Sequence, residues 1–224
     1  MKVLFIGNSH TYFNDMPATF ADLWRSACGE KAEVTMLAYS SRSLAWHENE
    51  YFAVRFNILR GGYDYCVIQQ QAHPFPGLEE TEEPLRWMLG LCRQAGTVPL
   101  VVETWAEQRA PEHQAAMTEA YACLAEKYAF KPVPVGRIWQ ELLPEVPLFW
   151  QDGEHASPYG DYLVAATLCG VISGESRIYP PVAHDFIENG DIDFDAPTVI
   201  EGDTRVTLDP ALTEKICAAI GRYI

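Results

Sequence analysis

With 224 residues, 48% of them hydrophobic and 21% charged, the chain has the composition of a globular protein with one sizeable core, not of a disordered or repetitive one. Its 31 acidic residues against 16 basic ones leave a formal charge of -15, which repels phosphate backbones and anionic lipid heads and argues against nucleic acid or a membrane surface as partner. No apolar run approaches membrane-spanning length, and VLFI near the start is too short for a signal-peptide core, so the expected compartment is the cytoplasm.

Residues 2–7 form a continuous apolar run, the pattern of a strand buried on both faces. A helix is expected over 16–28, with Phe20, Leu23, Trp24 and Ala27 on one stripe and Gly29 as its stop. A second strand is expected at 32–38, one helix over 44–59 ending at Gly61-Gly62, and a third strand at 64–68. Leu85, Met88, Leu89 and Cys92 recur at helical spacing before Gly96, and 97–103 makes a fourth strand. Pro111 opens a helix carrying Met117, Ala120, Tyr121, Leu124 and Tyr128 on one stripe. A short fifth strand falls at 133–136, and the last helices at 158–172, capped by Ser157, and 210–222.

Strands that lack a polar face and alternate with helices predict a parallel sheet covered on both sides, an α/β/α sandwich in a single domain. The segment 178–207, rich in Pro, Gly and Asp, fits the alternation poorly and reads as an irregular excursion with a hairpin around Glu201-Gly202-Asp203. Within it Asp191, Asp193 and Asp195 have the first spacings of a calcium loop. Ala196 stands where such a loop needs Gly, and position twelve is Gly202, so the run reads as a solvated turn. The six cysteines are spread singly, without zinc spacing, and read as reduced core residues. No metal or cofactor is expected.

Chemistry is concentrated at two places. Gly7-Asn8-Ser9-His10-Thr11 follows the first strand directly, where α/β folds place ligands, although a Ser two residues after a Gly is also an ordinary turn residue. Asp152-Gly-Glu-His155 places a carboxylate three residues before an imidazole in a loop that enters a small-residue helix. Such a carboxylate can fix the imidazole's tautomer, and an imidazole so held can deprotonate a hydroxyl; the plainer reading is a capping loop with a satisfied His.

Together the two stretches resemble the SGNH (GDSL-like) hydrolase family, which pairs a first-strand Gly-Asp/Asn-Ser with a late Asp-x-x-His. The resemblance spans about residues 2–172, and no Gly-x-Ser-x-Gly elbow is present. It implies a five-stranded, flavodoxin-like sheet and a serine esterase with Ser9 as nucleophile, His155 as base and Asp152 as its orienting carboxylate. The middle motifs depart from the family: Ser40-Ser41 stands where a Gly is common, and Gln69-Gln70-Gln71 leads into the place of the family's Asn. The backbone N–H of Ser9 and Ser41 with a Gln amide, Gln71 ahead of Gln69, then form the expected oxyanion hole, and His73 is a rival donor.

The Gln-rich third motif resembles a subgroup acting on acylated carbohydrates, which points to a short acyl ester of a small polar molecule. Trp105, His73 and Asn8 are the expected substrate contacts, with Trp46, Phe75 and Tyr12 as further aromatic candidates. His10 and His47 are assigned no catalytic role. Two other readings stand beside this one: a flavodoxin-like protein whose Ser9, His10 and Thr11 cradle a phosphate-bearing cofactor, and a non-catalytic carbohydrate-binding relative. A homo-oligomer is compatible with all of them.

Overall fold

The computed structural model describes residues 1–177 and 207–224, and the backbone of 184–185 and 205–206. Strands β1 (Lys2–Gly7), β2 (Glu33–Ala38), β3 (Tyr65–Gln69), β4 (Val98–Val102) and β5 (Pro132–Val133) form a five-stranded sheet in the order β2-β1-β3-β4-β5, every pairing parallel. This is the flavodoxin-like order, and it brings the C-terminal tips of β1 and β3 side by side at the point where the strand order reverses.

The alternation of side chains explains why β1 is apolar throughout. Val3 and Phe5 face a cluster with Phe20, Leu23, Val67 and Val102, while Leu4 and Ile6 face a second cluster with Val54, Ile58, Cys66, Ile68 and Leu89. Full burial of side chains of this size contributes about 1.5–3 kcal/mol each. The first cluster is covered by α2 (Met16–Cys28), α7 (Val135–Leu142), α8 (Pro158–Ser173) and α9 (Pro210–Ile220). The second lies under α3 (Leu44–Asn49), α4 (Tyr51–Arg60), α5 (Gly77–Ala95) and α6 (His113–Tyr128). A four-residue helix, α1 (Ser9–Tyr12), sits between β1 and α2.

Three expectations are corrected. The single helix over 44–59 is two helices broken at Glu50, whose ψ of 43° is not helical; no Gly or Pro marks the break. It lets α3 turn His47 onto the Gly7 carbonyl at 2.7 Å while α4 buries Val54 and Ile58 separately. The stretch 133–136 is strand only as far as Val133, and Val135 already opens α7, which buries Ile138, Trp139 and Leu142. Pro134 and Gly136 look like breakers, but Pro134 is the N-cap, and Gly136 is where α7 touches the β4 loop, a Cβ there falling 2.2 Å from the Thr104 carbonyl oxygen. Finally, β2 is not covered on both sides: it is an edge strand, and Val34 and Met36 are exposed.

The short antiparallel pair His184–Asp185 with Arg205–Val206 belongs to the 178–207 excursion. The expected turn at 201–203 and the acidic run 190–195 lie outside the described residues. Four cysteines are buried, Cys28 is half-buried and Cys123 is exposed; no two are bonded to each other. Among the described residues no helix is long and apolar enough to cross a membrane.

Candidate active site

The turn after β1 is built around a close approach. A Cβ on Gly7 would lie 2.2 Å from Thr11 Oγ1 and 2.6 Å from Gln69 Oε1, so a larger residue would have to push apart the hydrogen-bonded Thr11 and Gln69 side chains. Asn8 then caps α1: its Oδ1 accepts the His10 N–H at 3.1 Å, and its Nδ2 donates to the Arg42 carbonyl at 3.0 Å. Ser9 is consequently the first residue of α1, at the C-terminal edge of the sheet.

The second segment is a tight loop closed by the Phe149–Ala156 bridge. Gly153 takes a φ of +71°, a conformation that favours glycine, and this lets the loop fold back on Asp152. Asp152 Oδ1 accepts the N–H of Glu154 and of His155, both at 2.9 Å, while Oδ2 accepts the His155 Nδ1–H at 2.6 Å. A carboxylate can only accept, so Nδ1 carries the ring proton and Nε2 is left as an acceptor. It faces Ser9 Oγ at 2.8 Å. Burial pulls the Asp152 carboxyl upward, but the Glu154 N–H, the His155 ring and the His155 N–H outweigh it and hold the group below the ordinary carboxylate range.

Loop and turn are tied together from several sides. Trp105 Nε1 donates to the Glu154 carbonyl at 2.9 Å, and the Gln108 N–H to the Gly153 carbonyl at 2.8 Å. Asn14 Nδ2 donates to the Ala156 carbonyl at 3.0 Å and to the Asp161 carboxyl at 2.5 Å. Asp161 is wholly buried, and burial pushes its carboxyl well above the ordinary range against the opposing Asn14 hydrogen bond. The folded state thus holds this proton to higher pH than the unfolded chain, so stability present at acid pH is lost as pH rises toward the raised value. Asp161→Asn removes that loss: its melting temperature is expected to exceed the wild type's at pH 7 and to approach it near pH 3, as thermal melts at the two pH values would show.

The structure brings Ser9, His155 and Asp152 into one hydrogen-bonded line and places Ser41 in the turn after β2 with a φ of +58°, the backbone shape that glycine adopts most easily. The other expected contacts are used differently. Gln69 is 3% exposed; its Oε1 accepts Thr11 Oγ1 at 2.7 Å and the Asn8 N–H at 3.3 Å, and its Nε2 donates to the Gln70 carbonyl, so the side chain is tied inward and shut away from an oxyanion at the surface of the site. Gln70 is also locked inward, accepting the Leu44 and Gln71 N–H groups and donating to Thr81. Among the described residues the Gln71 side chain makes one long hydrogen bond, 3.4 Å to the His73 carbonyl, and it is the one glutamine of the three outside the core.

Asn8 is 1% exposed and spent on capping, which removes it as a substrate contact. Trp105 is likewise 1% exposed and stacks on Trp139 at 4.2 Å between centroids, because the chain after β4 passes beneath the 150–157 loop; it is core, not a sugar platform. His73 has both ring nitrogens engaged, Nδ1 with His10 Nε2 at 3.1 Å and Nε2 with the Trp105 carbonyl at 3.0 Å, so it has no free donor. The aromatic surface beside Ser41 is instead Tyr39, half exposed, tilted against Trp46 at 5.0 Å, with Arg42 over the Trp46 ring at 5.2 Å.

Phe13 and Asn14 also belong to the site, although no motif in the sequence singles them out. Their signal was position: both follow Ser9 within five residues, in a stretch too irregular for a periodic core pattern. A cavity of about 590 Å³ lies between residues 72–78, Ala106 and Glu107, and α6, with His73 in its wall. Among the described residues no cluster of His, Cys, Asp and Glu is arranged to hold a metal.

By sequence, no family model and no curated protein matches the chain. Solved structures do. A protein assigned to the SGNH hydrolases from Slackia heliotrinireducens superposes with a TM-score of 0.67 at 24% identity, over 77% of this chain and 98% of that one. Axe2, an acetylxylan esterase from Geobacillus stearothermophilus, gives 0.63 at 16% identity over 78% and 94%. TesA gives 0.62 at 14% identity over 78% and 99%. With the strand order and the sheet edge described above, these likenesses establish that the chain has the SGNH hydrolase fold.

Proposed function

We propose that the protein is a serine esterase that hydrolyses an acetyl or other short acyl ester of a carbohydrate or similar small polar molecule. The observation that carries this reading is the unbroken line from Ser9 Oγ to His155 at 2.8 Å and from His155 to Asp152 at 2.6 Å. A hydroxyl, a base of fixed tautomer and an ionised carboxylate in that order are what covalent acyl transfer requires.

In this mechanism His155 Nε2 takes the Ser9 proton as Oγ attacks the ester carbonyl carbon. The negative oxygen of the tetrahedral intermediate is met by the Ser9 and Ser41 N–H groups, with Gln71 as the one glutamine amide able to turn toward it. Collapse breaks the bond to the alcohol, which leaves with the proton from His155. Water, deprotonated by the same imidazole, then cleaves the acyl-enzyme and restores Ser9. Every step uses side chains or backbone of this chain.

The carbohydrate part of the proposal draws on the acetylxylan esterase of the same fold and on the exposed Tyr39 and half-buried Trp46 beside Ser41, which offer faces for a sugar ring. The cofactor-cradle alternative loses ground because Thr11 and His10 are buried and turned onto Gln69 and His73. The test is steady-state hydrolysis of nitrophenyl acetate against longer acyl esters and acetylated sugars. Turnover that falls with acyl length supports the reading; no turnover of any acyl ester removes it.

A further inference from the structure

The base of the proposed triad is held by more than Asp152. The His155 ring has His10 stacked on it at 4.8 Å between centroids and 22° between planes, and Phe13 at 4.6 Å and 24°. His10 and Phe13 make no ring contact with each other, so each lies flat against its own part of the imidazole. Both come from the turn that carries Ser9, so the nucleophile's own segment grips the base.

His10 is in turn fixed by the loops after β3 and β4. The Trp105 carbonyl can only accept, so His73 Nε2 carries a proton; neutral His73 then has Nδ1 as an acceptor, and the 3.1 Å contact is a hydrogen bond donated by His10 Nε2–H. Trp105 also packs at 5.2 Å on the His10 ring. Of the groups facing this pair, the Glu154 carbonyl and Asp152 favour a charged His10, and the Trp105 carbonyl, Glu154 and Glu107 a charged His73. Burial outweighs them in both rings, reinforced for His10 by His73 and His155, and keeps both imidazoles below their ordinary range.

We infer that His10 is a positioning residue: a neutral imidazole, fixed as its Nε2–H tautomer by His73, that with Phe13 clamps His155 so that Nε2 stays on the Ser9 hydroxyl. His155 sits on a loop that turns at Gly153, and without the clamp its ring can swing off that hydroxyl. A displacement of about 1 Å at a catalytic group can lower the rate by about 10²-fold. The catalytic consequence rests on the esterase reading; the clamp itself does not.

The test combines ¹⁵N NMR of the imidazoles with nitrophenyl acetate kinetics on wild type, His10→Ala and His10→Phe. In the wild type His10 and His73 are expected as Nε2–H tautomers that titrate below the range of free imidazoles, because both rings are buried. His155 is expected as a single Nδ1–H tautomer. His10→Ala should keep the Nδ1–H tautomer that Asp152 sets but broaden the His155 ring signals as the ring moves on and off the Ser9 hydroxyl, and lower kcat by about 10- to 10²-fold with little change in KM. His10→Phe, which keeps a flat ring on His155, should recover sharp His155 signals and most of kcat, and it decides the matter if the alanine variant does not fold. A wild type in which His10 titrates in the range of a free imidazole, or variants with unaltered His155 line widths, would overturn the inference. A wild type inert toward all esters would end the esterase reading, while the His155 line widths would still decide for or against the clamp.

Discussion

Ser9→Ala is expected to lower kcat/KM for nitrophenyl acetate by about 10⁶-fold, the scale seen when a triad nucleophile is removed, and to leave the fold intact. The size follows from what is lost. Without Oγ there is no acyl-enzyme, and His155 can at best activate water that is not held in line with the ester. The stability cost is small because Ser9 is only partly buried and, among the described residues, its side chain bonds only to His155, while the cap that forms α1 comes from Asn8. Matching thermal melts with a collapsed rate would identify the effect as chemical; equal rates for variant and wild type would detach the turnover from Ser9.

Asp152→Asn is expected to cost about 10⁴-fold in kcat, chiefly through the tautomer of His155. The asparagine Oδ1 can still accept the N–H groups of Glu154 and His155, so the loop keeps its shape. Its Nδ2 then faces His155 Nδ1 as a donor, which drives the ring proton to Nε2 and leaves no acceptor for the Ser9 hydroxyl. Asp152→Ala removes the loop's acceptor as well and is expected to lower stability in addition to rate. The asparagine variant therefore separates the two roles: an unchanged melting temperature with a large fall in kcat assigns Asp152 to orienting the base, and an unchanged kcat would mean that the 2.6 Å contact is structural only.

Much of this arrangement is written in the sequence, because strands buried on both faces leave long apolar runs and because the residues that do the proposed chemistry keep their local motifs. Gly7-Asn8-Ser9 and Asp152-Gly-Glu-His155 are legible without coordinates; their meeting follows from a parallel sheet that gathers strand ends on one edge. What sequence spacing does not carry is which polar side chains of those edge loops turn inward. Gln69 sits where an oxyanion donor is expected, and Asn8 and His73 where substrate contacts are, yet each is engaged in holding one loop to another. Trp105 is lost to the core for a reason lying forty-odd positions away, since the 150–157 loop covers it.

The fold-level differences have the same origin. The break at Glu50 answers to the fit of α3 against Gly7, and the exposure of β2 to its place at the sheet edge, neither of which is a local property. The start of α7 at Val135 was hidden by a proline that serves as its N-cap. Conversely, His10 looks like an incidental neighbour of Ser9 in one dimension; only the stacking on His155 and the bond to His73 make it part of the site.

The central claim is that Ser9 is a nucleophile made reactive by His155. Treating the wild-type protein with a fluorophosphonate and locating the adduct by peptide mass spectrometry tests it most directly. The account predicts a single stoichiometric phosphonyl group on Ser9, with labelling slowed severely in His155→Ala; an unlabelled Ser9, or labelling at the same rate without His155, would contradict it.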